Sequence, residues 1–433
     1  MNQTIDRVFL VLIPLSLFAS LLGRVPVIMT IGALLVRLLT TNKDTAGFYL
    51  LVSGGLLGGI IRYQYPFLPL YGLGIMLIGV FLLKDYFYTL RNYPASIYGM
   101  LLVLLYFFLA YILSPNAAEN LASNKITQII LNGLFMFFAY FALIHSKKIN
   151  NEALSQCLLL TTIFFFVYDM NLLGVSPSGF FDFEWLRVAS DYRVTEEDII
   201  AKMAGYQYIG MTALMAIAVF ISQSCNKIIK TFVYLIITLY MVMLSGARQA
   251  IFGFFIIIIL RQVFLNKKND EKNKSFSIGK IVCSVALLFF GLLILQNLDI
   301  GFLNETLESG DEGRQSLREA ALALFIEHPF LGTGIGGFQH YTYMLYPHNF
   351  IYEVLCECGI VGMLFLIILV VNHFKTQKIN ILFLTSNNSF LFLIIIVIVV
   401  RAMVSADLSY SIELFSAVFA CSAMPNQEKQ QIK

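Results

Sequence analysis

The chain has 433 residues, of which 58% are hydrophobic and only 13% charged, with a mean hydropathy of +0.78. Soluble domains run near 45–50% apolar and about 25% charged, so a soluble globular fold is excluded and a polytopic membrane protein is expected. The net charge of +3 reflects basic flanks of apolar runs and makes no case for nucleic acid as a partner.

A bilayer crossing needs about 20 mostly apolar residues. Apolar runs of that kind lie near 8–23, 25–40, 46–61, 67–83, 95–113, 126–144, 153–175, 203–222, 229–245, 250–265, 278–296, 350–371, 381–401 and 404–423. The expected fold is therefore all-α, with about 12–14 transmembrane helices and a helical external loop. Positive flanks resist translocation. Placing the N terminus inside puts most of the 29 Lys and Arg residues in cytoplasmic loops. Both termini are then cytoplasmic and the 297–349 excursion is outside. The first run lacks a small-residue cleavage site and is read as a true span. In this scheme 1–175 is an N-terminal bundle, 176–202 a first external loop, 203–296 a second group of spans, 297–349 the large external loop and 350–433 the C-terminal spans.

In the first bundle, glycines cluster at Gly54, Gly55, Gly58 and Gly59 and again at Gly72, Gly74 and Gly79. Small residues let helix backbones approach closely in lipid, so close packing is their expected role. No fixed-period repeat is visible. The six cysteines lie in or beside apolar runs without disulfide or metal spacing, and Cys356 and Cys358, two apart, point to different helix faces.

The 176–205 excursion contains Thr195 and Asp198 in a capping-box pattern, which predicts a helix leading into the 203–222 span. Its Trp185, Arg187, Arg193 and acids suit either sugar contact or interfacial anchoring. Next, Leu244–Phe254 reads LSGARQAIFGF. Arg248 there sits between two apolar runs, where a charge is paired, faces water or snorkels to the headgroups. The 266–275 run of mixed charges is a solvated connector.

The second excursion predicts a helix over Arg314–Glu327, with Leu317, Ala320, Ala321 and Leu324 as its apolar stripe. Arg314 and Arg318, four apart, share a face. Two guanidiniums so placed suit phosphate oxygens, or form an ordinary solvated pair beside Glu319. The following GTGIGG, Gly332–Gly337, matches G-x-G-x-x-G, but no strand precedes it, so a dinucleotide site is rejected. A close-approach turn, with backbone N–H groups facing an anion, is the better reading. His348 and Asn349 stand at the mouth of the 350–371 span, with His328 and His340 as weaker candidates. Glu353 and Glu357 lie deeper in that span and need partners or water.

These residues carry a resemblance. His348-Asn349, nine residues, then Gly359-Ile-Val-Gly362 resembles the His-Asn/Ser/Gln, x9, Gly-x-x-Gly signature of the O-antigen ligase and O-antigen polymerase superfamily. Gly313-Arg314 and the run HPFLGTGIGGF resemble its upstream motifs, and SGAR248 is similar to its Ser-x-Ser-Arg, with Ala247 in place of the usual Ser. Arg318 falls near a position where the family often has an aromatic residue. The likeness covers roughly 244–371.

The resemblance implies a GT-C-type, inverting membrane glycosyltransferase of the bacterial inner membrane. Its active site would be periplasmic and its donor an undecaprenyl-diphosphate-linked oligosaccharide. It implies His348 as the catalytic base, Arg248, Arg314 and Arg318 on the diphosphate, and Asn349, Glu353, Glu357, Gly359 and Gly362 in support. No metal-ligand cluster is apparent, so no metal and no cofactor is expected. Partners are the lipid-linked donor, an acceptor glycan and membrane lipid, with a chain-length regulator as a further candidate. The leading expectation is a polymerase whose acceptor is a second lipid-linked repeat unit. The alternatives are a ligase acting on lipid A core or on a protein and, more distantly, a polyprenol-glycan flippase. A flippase should show internal repeats and mid-bilayer charges on broken helices.

Overall fold

The computed structural model describes residues 34, 36–64, 71–146, 148–172, 206–222, 228–245, 247–261, 312–344, 346–379, 389–404 and 407–421. Among the described residues every regular element is a helix. In chain order these are α1 (Lys43–Gln64), α2 (Tyr71–Leu82), α3 (Tyr86–Leu90), α4 (Pro94–Ile112), α5 (Asn120–His145), α6 (Asn151–Leu172), α7 (Tyr206–Ile221), α8 (Ile228–Ser245), α9 (Arg248–Leu260), α10 (Glu312–Glu327), α11 (Gly337–Thr342), α12 (Phe350–Thr376), α13 (Ser389–Val404) and α14 (Leu408–Ala420). Among the described residues α4, α5, α6 and α12 are each long and apolar enough to cross a membrane, and α2, α7, α8, α9, α13 and α14 are shorter apolar helices. The protein is an all-α polytopic membrane protein.

Runs 8–23 and 278–296, most of 25–40, the 176–205 excursion with its capping-box pattern and the 266–275 connector lie outside the described residues. Elsewhere each apolar run carries a helix, and the ends differ for local reasons. α5 begins at Asn120 rather than near 126 because Ala122 and Lys125 are buried, although Lys125 reads as loop. α12 continues past 371 to Thr376, with Lys375 in its last turn, where a cation complements the carbonyl end of a helix. α14 starts after Asp407, whose side chain accepts the Tyr410 N–H as an N-cap.

The helices form two compact units, one of α1, α2 and α6–α9, the other of α3–α5 and α10–α14. In the first, α1 and α2 pack closely at glycine: a Cβ at Gly79 would lie 2.9 Å from the Gly47 carbonyl, the packing role expected of small residues in lipid. Buried hydroxyls tie α6 to its neighbours, with Tyr49 Oη 2.6 Å from Thr161 Oγ1 and Tyr234 Oη donating to the Ser155 carbonyl at 2.6 Å. In the second unit, the stripe on α10 packs Ala321 and Leu324 against Phe338 and Cys356, with Leu317, Ala320, Phe325 and Tyr352 around them. That contact seats the excursion helix on α12.

Candidate active site

α12 is two helices joined at a break. Gly359 has φ +64°, ψ −172°, a conformation that L side chains rarely adopt. A break exposes carbonyls above it and N–H groups below it, and in a membrane both need partners inside the protein. The turn 329–334 supplies them. Thr333 N and Gly334 N donate to the Cys356 and Glu357 carbonyls at 2.8 and 2.9 Å. In return the Pro329 and Phe330 carbonyls accept from Ile360 N and Val361 N at 2.9 and 3.2 Å. A Cβ at Gly359 would run into the Phe330 carbonyl, and one at Gly332 into the backbone of Glu357. The second glycine of the Gly-x-x-Gly pair, Gly362, makes room for the Tyr106 hydroxyl of α4, which also donates to the Cys358 carbonyl at 3.3 Å.

This makes GTGIGG the close-approach turn that the sequence predicts, with the backbone of α12 as what it approaches. The N–H groups of Thr333 and Gly334 are spent on α12 carbonyls, and that of Gly337 on the Gly334 carbonyl.

Glu353 and Glu357, one helical turn apart on the first half of α12, are fully buried. Their partner is Lys125 of α5, also buried: its Nζ lies 2.5 Å from Glu353 Oε1 and 2.8 and 2.9 Å from the two Glu357 oxygens. Sequence reasoning missed Lys125. The available signal was the pair of carboxylates itself, which demanded a cation, and a lone lysine at the edge of the 126–144 run. Glu353 Oε2 is buried without a hydrogen bond.

Above that cluster, Asn349 caps α12. Its Oδ1 accepts Ile351 N and Tyr352 N at 2.9 and 3.3 Å, while its Nδ2 donates to the Met403 carbonyl of α13 at 3.0 Å. Arg314 of α10 reaches the next carbonyl on α13, Val404, at 3.3 Å. The carbonyl end of α13 thus gathers Asn349 and Arg314, two residues 35 positions apart in the chain. Arg318, one turn along α10, is half-buried.

His348, immediately before the cap, is half-buried in a left-handed conformation with φ 54°, its ring 4.3 Å from that of Tyr346. A left-handed non-glycine residue costs about 1–2 kcal/mol and is held by its surroundings. The weaker histidines have other settings: His340 Nδ1 lies 2.5 Å from Glu119 Oε1, and His328 is exposed beside Tyr341. Arg401, also missed, sits on α13 with its guanidinium 3.6 Å from Glu413 and 4.8 Å from the Tyr410 ring centroid.

In the first unit, Arg248 is the first residue of α9. The preceding turn is closed by Ser245, whose hydroxyl donates to the Val242 carbonyl at 2.6 Å and accepts Ala247 N at 3.2 Å. Ala247 is buried where α7 passes close, near Gly210. Four of the cysteines, Cys157, Cys356, Cys358 and Cys421, are buried free thiols.

Residues 233–367 match a family model described as O-antigen ligase. The match spans about a third of the chain and takes in α9, α10, the glycine turn, His348 and the break in α12. It is consistent with the O-antigen ligase/polymerase superfamily. No curated protein matches the chain.

Proposed function

We propose that the protein is a membrane glycosyltransferase that moves a polyprenyl-diphosphate-linked glycan onto a sugar hydroxyl at the external face of the bacterial cytoplasmic membrane. The observation that carries this reading is the family match over 233–367, a segment that holds His348, its Asn349 cap and the glycine-broken helix below it.

In the proposed step the acceptor hydroxyl oxygen attacks the anomeric carbon of the donor. A new C–O bond forms, the bond from that carbon to the diphosphate oxygen breaks with its electron pair, and the anomeric configuration inverts. His348 takes the hydroxyl proton, a role that contributes about 10²–10⁴-fold. The leaving diphosphate gains charge, which guanidinium groups stabilise through paired N–H donors. Arg314 and Arg318 are assigned that role, together with Arg248 on the strength of its motif. Asn349 shapes the backbone that presents His348, while Glu353 and Glu357, held by Lys125, and Gly359 and Gly362 keep α12 in place.

The acceptor in this reading is the terminal sugar of a second lipid-linked unit, which makes the protein a polymerase. A ligase would share every step and differ in acceptor. The test of the chemistry is His348→Ala, expected to insert and fold normally while releasing no polyprenyl diphosphate from donor. Near-normal turnover by that variant would remove His348 from the mechanism.

A further inference from the structure

The break in α12 has a consequence for membrane depth. From Ile360 to Thr376 the second half of the helix extends about 25 Å at 1.5 Å per residue, and its unbroken apolar part, Ile360 to Val371, only about 18 Å. The hydrocarbon core of a bilayer is about 30 Å thick. Roughly 12 Å must therefore come from the first half, which at the same rise is about eight residues and reaches back near Tyr352. The 329–334 turn is hydrogen-bonded to Cys356, Glu357, Ile360 and Val361, and so lies at a level inside that interval.

We propose that the Pro329–Gly332 turn re-enters the bilayer, with Phe330 and Leu331 in contact with lipid acyl chains, instead of belonging to a wholly aqueous external loop. Three observations support this. Phe330 and Leu331 are 71% and 70% exposed, and the turn adjoins Ile360 and Val361, where the exposed apolar strip Leu364, Ile367, Ile368 and Val371 of a spanning helix begins. Ile326 and Leu322, four apart on one face of α10, are exposed as well, and Phe330 follows Ile326 by four residues. Irregular backbone at membrane depth needs partners in the protein, and in this turn the Gly332 N–H donates to the His328 carbonyl while the Pro329 and Phe330 carbonyls accept from α12. The same depth accounts for the burial and pairing of Glu353 and Glu357, since unpaired charges are costly there.

The inference rests on helix length, side-chain exposure and hydrogen bonding and not on the transfer chemistry, so it and the transferase reading fail independently. Its test uses tryptophan as a depth probe. The native Trp185 is replaced by Phe, and Phe330→Trp, Leu331→Trp and, as an aqueous reference, Gln315→Trp are each placed in that background. The full-length variants are reconstituted into vesicles with brominated acyl chains or exposed to iodide. Phe330→Trp and Leu331→Trp are expected to be quenched by the brominated lipid severalfold more than the reference and to resist iodide. Iodide quenching as strong as that of the reference overturns the proposal. Protection from both quenchers also overturns it, because the turn would then be covered by protein, such as a second copy of the chain.

Discussion

Replacing Lys125 by methionine removes the ammonium that two buried carboxylates share, and the structure sets the scale of the loss. At the 2.8 Å separation of Lys125 and Glu357, one such contact is worth about 6 kcal/mol with an effective dielectric near 20. Much of that is offset because burying the lysine costs desolvation energy, which the substitution relieves. Breaking one partner of a buried pair typically leaves a net loss of about 3–5 kcal/mol. Lys125→Met should therefore lower the unfolding free energy by that amount in mixed-micelle titrations, and transfer should fall with it, because the first half of α12 loses its tie to α5. The physical reasoning is the stranded charge, not the missing side-chain volume. Adding Glu353→Gln and Glu357→Gln to Lys125→Met should accordingly recover most of the stability. A stable single variant, or a triple variant no better than the single, would refute the reasoning.

Gly359→Ala should cost about 3–4 kcal/mol, from the left-handed backbone, the collision with the Phe330 carbonyl and the weakened bonds of Ile360 and Val361; a neutral result in the same titration would mean that α12 tolerates a continuous path there. Asn349→Ala loses both the cap and the amide bond to Met403, for about 2 kcal/mol. Asn349→Ser keeps a capping hydroxyl and should lose about half as much, and equal losses would discount the cap. Arg248→Ala and Arg248→Lys are both expected to abolish transfer if two-pronged contact with diphosphate matters; full activity in the lysine variant would reduce the role to a point charge.

The helices were legible because a bilayer imposes a simple rule, about 20 apolar residues per crossing, and the α10 stripe was legible because Leu317, Ala321 and Leu324 repeat at helical spacing. The start of α5 was not, since hydropathy scores Lys125 as a loop residue and its burial depends on carboxylates more than two hundred positions away. The same limit hid the purpose of the glycine turn. Gly332 to Gly337 advertised a close approach, but nothing local says that the partner is the backbone of α12 at Cys356 to Val361. Motif spacing marked Gly359 and Gly362, while their separate reasons, a left-handed break and room for Tyr106, are visible only in three dimensions. Arg314 stands out in the sequence as a phosphate ligand, while its guanidinium's hydrogen bond to the carbonyl at the end of α13 is a contact with no sequence signature.

The most direct measurement supplies the protein, purified and reconstituted in vesicles, with polyprenyl-diphosphate-linked repeat units and no other acceptor, and resolves the products by chain length. The account predicts a ladder of glycans that grows as free polyprenyl diphosphate accumulates, and that disappears with His348→Ala. Units left intact by the active preparation would contradict it.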